Sequence, residues 1–88
     1  MLEYKIEFLK KAEKELSKLP FNIQKQIANR LESLKSNPFP SDVKQLKNSN
    51  GILRIRINDY RILYRLENDV LVILIIKIAH RSKVYRDL

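Results

Sequence analysis

The sequence predicts an α+β protein in which two helices pack on one face of a largely antiparallel, four-stranded sheet, in the order β-α-α-β-β-β. Three observations predict this class: an alternating segment near the start, two apolar stripes at helical spacing before residue 37, and three closely spaced strand patterns after residue 51. Strands and helices in this order favour helices segregated to one sheet face. With 88 residues the chain can build one core, so we expect a single domain over residues 1–88.

The first 36 residues carry one strand pattern and two helix patterns. Tyr4, Ile6 and Phe8 alternate with charged residues, which is typical of a half-buried strand. The two helical stripes consist of Ala12, Leu16 and Leu19, and then of Ile23, Ile27, Leu31 and Leu34. Pro20 separates the helices, and an Asn-Pro pair after residue 36 ends the second one. The lysines on the remaining helix faces are expected to form a solvated surface.

The other three strands follow a long loop that is marked by prolines and an Asn-Gly pair. Leu53 to Ile57 alternates, the pair Asn58-Asp59 suits a two-residue hairpin turn, and Tyr60 to Glu67 runs back. The pair Asn68-Asp69 predicts a second two-residue turn. The last strand, Val70 to Ala79, is apolar on both faces, which is typical of a central strand.

Positive charge is distributed unevenly along the chain. The formal net charge is +8, nine of the eleven lysines lie in residues 1–47, and six of the seven arginines lie in residues 54–86. A strong net positive charge favours an anionic partner. Because the guanidinium group is a planar fork that fits phosphate, an arginine-rich sheet indicates a nucleic acid as that partner.

Alternation along the predicted strands places most of these cations on one sheet face. The rows assigned to the helix side are Leu53, Ile55 and Ile57; Tyr60, Ile62, Tyr64 and Leu66; and Val72, Leu74, Ile76 and Ile78. The opposite face then carries Arg54, Arg56, Arg61, Arg65, Lys77 and Arg81. Glu67 and Asp59, which lie at strand ends, are the only acids that the alternation places on this face, where they could neutralise the cations. Opposed like charges destabilise a sheet, so this face predicts an extended anionic ligand such as a single nucleic acid strand.

Several kinds of site are not expected. The chain has no cysteine, which excludes disulfides and cysteine nucleophiles. One histidine and scattered acids give no cluster at metal-ligand spacing, so we expect neither a metal nor another cofactor. Charge interrupts the N-terminal residues too early for a signal peptide, and the longest apolar run, Val70 to Ile76, is too short to span a bilayer. We therefore expect a soluble, cytoplasmic protein.

Two segments resemble the RelE/ParE superfamily of bacterial and archaeal toxins. One is the hairpin from Leu53 to Tyr64 with its Asp59-Tyr60-Arg61 triplet, and the other is His80-Arg81-x-x-Val84-Tyr85. The resemblance covers nearly the whole chain and implies the fold predicted above, followed by a short C-terminal helical turn. The RelE branch is favoured. It implies a ribosome-dependent endoribonuclease that cuts messenger RNA in the ribosomal A site and thereby inhibits translation.

The resemblance also implies a reaction and the residues that perform it. A ribose 2′-hydroxyl would attack its own 3′-phosphate, giving a 2′,3′-cyclic phosphate and a 5′-hydroxyl without a metal. Tyr85 is implied as the base, and Arg61 and Arg81 as the groups that stabilise the phosphate. Arg81 and His80 are the alternatives for the general acid. The residues expected to bind RNA or phosphate are Arg54, Arg56, Arg65, Lys77 and Lys83; arginines at 54 and 56 stand where the best-known RelE members have lysines.

Two alternative functions remain open. The ParE branch has the same fold and is associated with inhibition of DNA gyrase. A non-catalytic RNA-binding module would show salt-sensitive RNA binding and no cleavage. All three functions imply a cognate partner, a small RelB-like antitoxin that is partly disordered when free. Such a partner would cover the basic face with an acidic helix or an added strand, or would displace the terminal helix.

Overall fold

The computed structural model describes residues 3–86. Its elements are β1 (Lys5–Phe8), α1 (Lys10–Ser17), α2 (Phe21–Leu34), β2 (Lys44–Gln45), β3 (Leu53–Ile57), β4 (Tyr60–Glu67) and β5 (Val72–His80). The strands form one sheet in the order β1-β5-β4-β3-β2, in which β1 and β5 are parallel and the other pairs are antiparallel. The predicted class and helical hairpin are confirmed, and the two-residue β2 adds a fifth strand to the four predicted. The first two residues of the N-terminal segment and the last two of the predicted terminal turn lie outside the described residues.

The two helices begin and end close to the predicted positions. Pro20 precedes α2, and its carbonyl accepts the N–H groups of Ile23 and Gln24. The Gln24 side chain also donates to the Leu19 carbonyl at 2.9 Å, which ties together the turn between the helices. No helix within residues 3–86 is long and apolar enough to cross a membrane.

The hydrophobic core lies between the helices and one face of the sheet. Its helical side chains are Ala12, Ile27, Leu31 and Leu34, and those of the hairpin strands are Leu53, Ile55, Ile57, Ile62 and Tyr64. Tyr4, Ile6 and Phe8 of the first strand region pack against this cluster. The predicted rows for β1, β3 and β4 are therefore confirmed.

A β-bulge interrupts the regular alternation of β5. Leu63 of β4 pairs with Lys77, but its neighbour Tyr64 pairs with Ile75. Ile76 is thus an extra residue on β5, which is the definition of a bulge in an antiparallel pair. A single extra residue reverses which parity faces the helices.

The prediction for β5 was wrong before the bulge and right after it. Ile73 and Ile75 belong to the core, and beyond the bulge Ile78 does. The residues incorrectly assigned to the helix side are Val72, Leu74 and Ile76. Lys77 lies on the opposite face, as predicted, because the alternation has been shifted by one residue.

The two hairpin turns differ from each other. Asn58-Asp59 forms the predicted two-residue turn, with Asn58 at φ 52°. The second turn is longer than the predicted pair Asn68-Asp69, because four residues, 68–71, separate β4 from β5. The Val70 N–H donates to the last carbonyl of β4, and Leu71 takes φ 52° before β5 begins. A positive φ is uncommon for a bulky side chain, so the sequence indicates a turn here but not its length.

Tyr64 connects the sheet to the loop after α2. Its side chain is fully buried, and its hydroxyl donates to the Pro38 carbonyl at 2.7 Å. Burial raises the pKa of Tyr64 to about 12. The charge of Arg30 acts against this rise, and the charge of Asp42 adds to it.

We expect Tyr64→Phe to change how stability responds to alkaline pH. In the wild type the unfolded chain ionises Tyr64 near pH 10, whereas the folded protein keeps the proton until about pH 12. The free energy of unfolding should therefore fall between these values, by about 2–3 kcal/mol from this group. Tyr64→Phe should lack that decrease, and should lose about 1 kcal/mol at neutral pH with the hydrogen bond.

Urea denaturation from pH 8 to pH 12 measures both effects. Tyr4→Phe is the control, because the Tyr4 hydroxyl binds the Asn68 side chain at 2.8 Å in an exposed position. Parallel pH profiles for the wild type and Tyr64→Phe would contradict the assignment.

Candidate functional site

The sheet face opposite the helices carries the predicted cations in two adjacent rows; we call it the open face. Residues paired across strands point to the same side of a sheet. One row consists of Lys44, Arg54, Leu63 and Lys77, and the next of Arg56, Arg61 and Ala79. Arg65, two residues beyond Leu63 on β4, shares this face. The predicted placement of these arginines on one face is confirmed.

Arg61 is fixed next to the hairpin turn. Its Nη1 donates to the carbonyls of Asn58 at 3.1 Å and Tyr60 at 3.0 Å. These bonds use one end of the guanidinium fork, so its other donors remain available to a ligand.

The electrostatic environment of Arg61 shows which charged groups surround it. Partial burial lowers the pKa of Arg61, and the positive charges of Arg56 and then Arg54 lower it further. Tyr85 opposes this change, and Arg81 adds a smaller decrease. Three further guanidinium groups and one phenol therefore lie within electrostatic reach of Arg61; we call Arg61 and these three arginines the arginine cluster.

Arg54 is the buried member of the arginine cluster. It is 8% exposed, and its Nε is a buried donor without a hydrogen-bond partner in the part of the chain that the structure describes. A buried donor that makes no hydrogen bond costs free energy, more so when the group is charged. An anion bound among the cations would provide both an acceptor and a compensating charge.

Residues 81–86, here called the C-terminal segment, cross the open face. Two successive turns form it, with Lys83 N–H donating to the His80 carbonyl and Arg86 N–H to the Lys83 carbonyl. Val84 is fully buried, and so is Leu63 in the middle of the open face. The predicted C-terminal helical turn takes this form within the described residues. The alternation of side chains along the strands does not indicate that part of this face is covered.

Tyr85 remains accessible although its neighbour Val84 is buried. Its side chain is 49% exposed. Together with the loop of residues 46–52 it lines a cavity of about 480 Å³. This side of the cavity could not be predicted from the sequence, because β2 and the loop after it carry no regular pattern.

Glu67 and Asp59, the two acids predicted to lie on the same face as the cations, each lie next to one arginine. Arg65 donates to Glu67 Oε1 at 3.0 Å from Nη2, and Arg81 Nε lies 3.9 Å from Asp59 Oδ1. The Arg81 N–H also donates to the Asp59 carbonyl at 2.7 Å. Exposed ion pairs of this kind contribute little stability, so Arg81 remains available to a ligand.

His80 is not part of the arginine cluster. It pairs with Tyr60 on the face that packs on the helices, and the two rings meet edge to face with centroids 5.7 Å apart. Its Nδ1 accepts the Ser82 N–H at 3.2 Å and lies 2.9 Å from the Ser82 hydroxyl. The structure therefore does not bring His80 together with Arg61 and Tyr85.

The remaining two candidates differ in exposure. Lys83 is exposed in the C-terminal segment. Lys77 is only 6% exposed, and its Nζ donates to the Arg86 carbonyl. Lys77 is thus directed at the protein's own backbone, whereas Lys83 faces solvent.

Comparisons with known proteins match almost the full length of the chain. A family model described as the ParE toxin of type II toxin–antitoxin systems matches residues 6–85. RelE1 of Methanocaldococcus jannaschii is 34% identical over 89 residues, which cover 98% of this chain and 99% of that protein.

Solved structures give the same result. The RelBE2 toxin–antitoxin complex of Mycobacterium tuberculosis matches with a TM-score of 0.80 and 27% identity, over 91% of this chain and 100% of the matched chain. The RelE–RelB complex of Pyrococcus horikoshii matches with a TM-score of 0.79 and 27% identity, over 92% and 98% of the two chains. The range of the family model includes the whole arginine cluster and Tyr85.

Proposed function

The chain belongs to the RelE/ParE superfamily of type II toxin–antitoxin toxins, and we propose that it is a ribosome-dependent endoribonuclease that cuts messenger RNA and inhibits translation. The observation that carries this proposal is the arginine cluster with Tyr85 beside it. Cleavage of a phosphodiester builds negative charge on the phosphate oxygens. Preorganised cations are the groups that stabilise such charge most effectively.

The proposed reaction is an attack of the ribose 2′-hydroxyl on the adjacent 3′-phosphorus. Tyr85 takes the 2′-proton, while Arg61 and Arg81 stabilise the pentacoordinate phosphate. The bond from phosphorus to the 5′-oxygen breaks, leaving a 2′,3′-cyclic phosphate and a 5′-hydroxyl. Because His80 lies on the other sheet face, we assign the proton donor for the leaving oxygen to Arg81.

The other cations are proposed to bind the RNA backbone to different extents. Arg54 and Arg56 adjoin Arg61, and Lys83 is exposed in the C-terminal segment, so these three are the strongest candidates. Arg65 is already paired with Glu67, which makes it a weaker one. Residues 1–88 are proposed to act as one domain.

A second candidate function is inhibition of DNA gyrase. The matching family model is that of ParE toxins, which favours this candidate. In that case the arginine cluster would bind an anionic surface and Tyr85 would have no role as a base. The two functions therefore predict different effects on toxin activity when the hydroxyl group of Tyr85 is removed.

We also propose a cognate RelB-like antitoxin as the partner, because the matched solved structures are toxin–antitoxin complexes. A net charge of +8 and the arginine cluster suit an acidic partner segment. Messenger RNA on the ribosome as substrate implies a cytoplasmic location.

The proposed function is tested by adding the purified protein to ribosomes stalled on a defined message and mapping the new 5′ ends. We expect the wild type to cut within the A-site codon, and Arg81→Ala to do so about 10²–10³-fold more slowly. Lys18→Ala, which removes one exposed positive charge from the turn between the helices, should cut like the wild type.

The other outcomes separate the alternatives. An intact message together with inhibited supercoiling by gyrase would support the second candidate. RNA binding that weakens with salt, without cleavage and without an effect on gyrase, would indicate a non-catalytic RNA-binding module.

A further inference from the structure

We propose that Lys77 is a positioning residue that holds the C-terminal segment against the open face and thereby places Tyr85 beside Arg61. The inference rests on the proposed function only in so far as Tyr85 acts there as the base. The attachment of the C-terminal segment by Lys77 can be tested without any cleavage assay.

The Lys77 ammonium group lies inside the protein and binds the backbone of the C-terminal segment. Lys77 is 6% exposed, and its Nζ donates to the Arg86 carbonyl at 2.5 Å. The ion pairs found within residues 3–86 do not include it. A buried charge must be compensated by hydrogen bonds, so the Arg86 carbonyl is a partner that keeps this lysine inside the protein.

Stability alone does not explain a lysine at this position. A well-packed hydrophobic side chain usually stabilises a buried site at least as well as a charged one. A methionine at position 77 would fill the space of the apolar stem of Lys77 with little change in side-chain volume. Only a long side chain that ends in a hydrogen-bond donor can also bind the backbone of the C-terminal segment.

The bulge in β5 determines the direction of the Lys77 side chain. Ile73 and Ile75 face the core, so regular alternation would also direct residue 77 to the core. The extra residue, Ile76, turns Lys77 to the open face instead. Bulges are known to redirect a side chain next to functional sites. Here the redirected side chain is the one that reaches the Arg86 carbonyl.

Tyr85 is held in place mainly through its neighbours in the chain. Its own side chain is 49% exposed, whereas Val84 before it is fully buried and the Arg86 carbonyl after it is bound by Lys77. At the start of the segment, the Arg81 N–H is bound to the Asp59 carbonyl. Tyr85 is therefore placed mainly by the contacts of the residues on either side of it. On its C-terminal side, the contact nearest to it is the hydrogen bond from Lys77 to the Arg86 carbonyl.

The test uses Lys77→Met, which keeps the apolar stem and removes the donor. Lys14→Met is the matched control, because it removes one exposed charge from α1. Two readouts report the C-terminal segment: the ¹⁹F spectrum of protein labelled with 3-fluorotyrosine, with the Tyr85 signal assigned by its loss in Tyr85→Phe, and amide hydrogen exchange at residues 84–86.

We expect Lys77→Met to unfold cooperatively with a stability close to that of the wild type. Its Tyr85 signal should move towards that of a solvent-exposed fluorotyrosine, and exchange at residues 84–86 should become about tenfold faster, as for the loss of one hydrogen bond to a charged group. Lys77→Arg, which retains a donor, should show smaller changes, and Lys14→Met none. If Lys77→Met does not fold, the neutral variant Lys77→Gln is measured in the same way.

A wild-type Tyr85 signal and wild-type exchange in a folded Lys77→Met protein would overturn the inference. On stalled ribosomes, the same variant should show a lower cleavage rate with unchanged RNA affinity, which a general loss of folding would not produce. If the wild type itself does not cleave RNA, the proposed function fails, whereas the spectrum and the exchange rates still decide the role of Lys77.

Discussion

Tyr85→Phe is expected to slow RNA cleavage by about 10²–10⁴-fold, the usual contribution of a general base. The substitution removes one hydroxyl group and keeps the ring. Because the side chain is 49% exposed and its anchors are Val84 and the Arg86 carbonyl, the position of the ring should not change. RNA affinity and the free energy of unfolding should therefore stay close to the wild-type values.

Single-turnover cleavage on stalled ribosomes separates the chemical step from binding. Tyr60→Phe is the matched control, since it removes the same group on the helix side of the sheet, where the ring meets His80. Equal cleavage rates for the wild type and Tyr85→Phe would exclude Tyr85 as the base. Equal inhibition of gyrase by both proteins would then favour the second candidate function.

Arg61→Gln is expected to lower the activity strongly and to change the stability little. Cleavage should fall by about 10²–10³-fold, because Arg61 is the central cation of the arginine cluster. Burial and the charges of Arg56 and Arg54 lower the pKa of Arg61, so its charged form is less favourable in the folded than in the unfolded protein. That cost is present at all pH values below the lowered pKa, including neutral pH. Removing the charge relieves this cost, which offsets the loss of the hydrogen bonds to the Asn58 and Tyr60 carbonyls, so the stability should stay close to that of the wild type.

Urea denaturation and RNA binding at several salt concentrations provide the two measurements. The log–log salt dependence of RNA affinity should decrease by about 0.7, the value for one phosphate contact on a single strand. Arg65→Gln is the contrasting variant, because it breaks the ion pair with Glu67 and should not gain stability. A destabilised Arg61→Gln protein that cleaves at the wild-type rate would contradict both parts of the prediction.

The regular strands were predictable from the sequence, and the irregular ones were not. Alternation places Arg54, Arg56 and Arg61 on one face because β3 and β4 contain no bulge and are joined by a turn that Asn58-Asp59 indicates. On β5, residues 72–76 are all aliphatic, so the apolar pattern contains nothing that marks Ile76 as an extra residue. The bulge is set by tertiary packing, which a periodicity cannot show.

The candidate site was predicted in its composition but not in its shape. The roles of Arg61, Arg81 and Tyr85 were identified by resemblance, and the structure brings Arg81 and Tyr85 within electrostatic reach of Arg61. Parity treated Lys77 as one more exposed cation, whereas the C-terminal segment covers it. Whether a short terminal segment folds back depends on a few specific contacts, and these have no periodic pattern in the sequence.

The parallel pairing of β1 with β5 has a consequence for the synthesis of this protein. Lys5 lies opposite Val72, so β1 has no neighbouring strand until the chain has been made as far as β5. Pairings between such distant segments form late, because the entropy of closing the intervening loop must be overcome first. Arg81 and Tyr85 emerge from the ribosome later still, since a chain is made from its N-terminus. The ribosome that makes this protein therefore has to translate the codon of Arg81 before the arginine cluster can assemble, and the codon of Tyr85 before the tyrosine can join it.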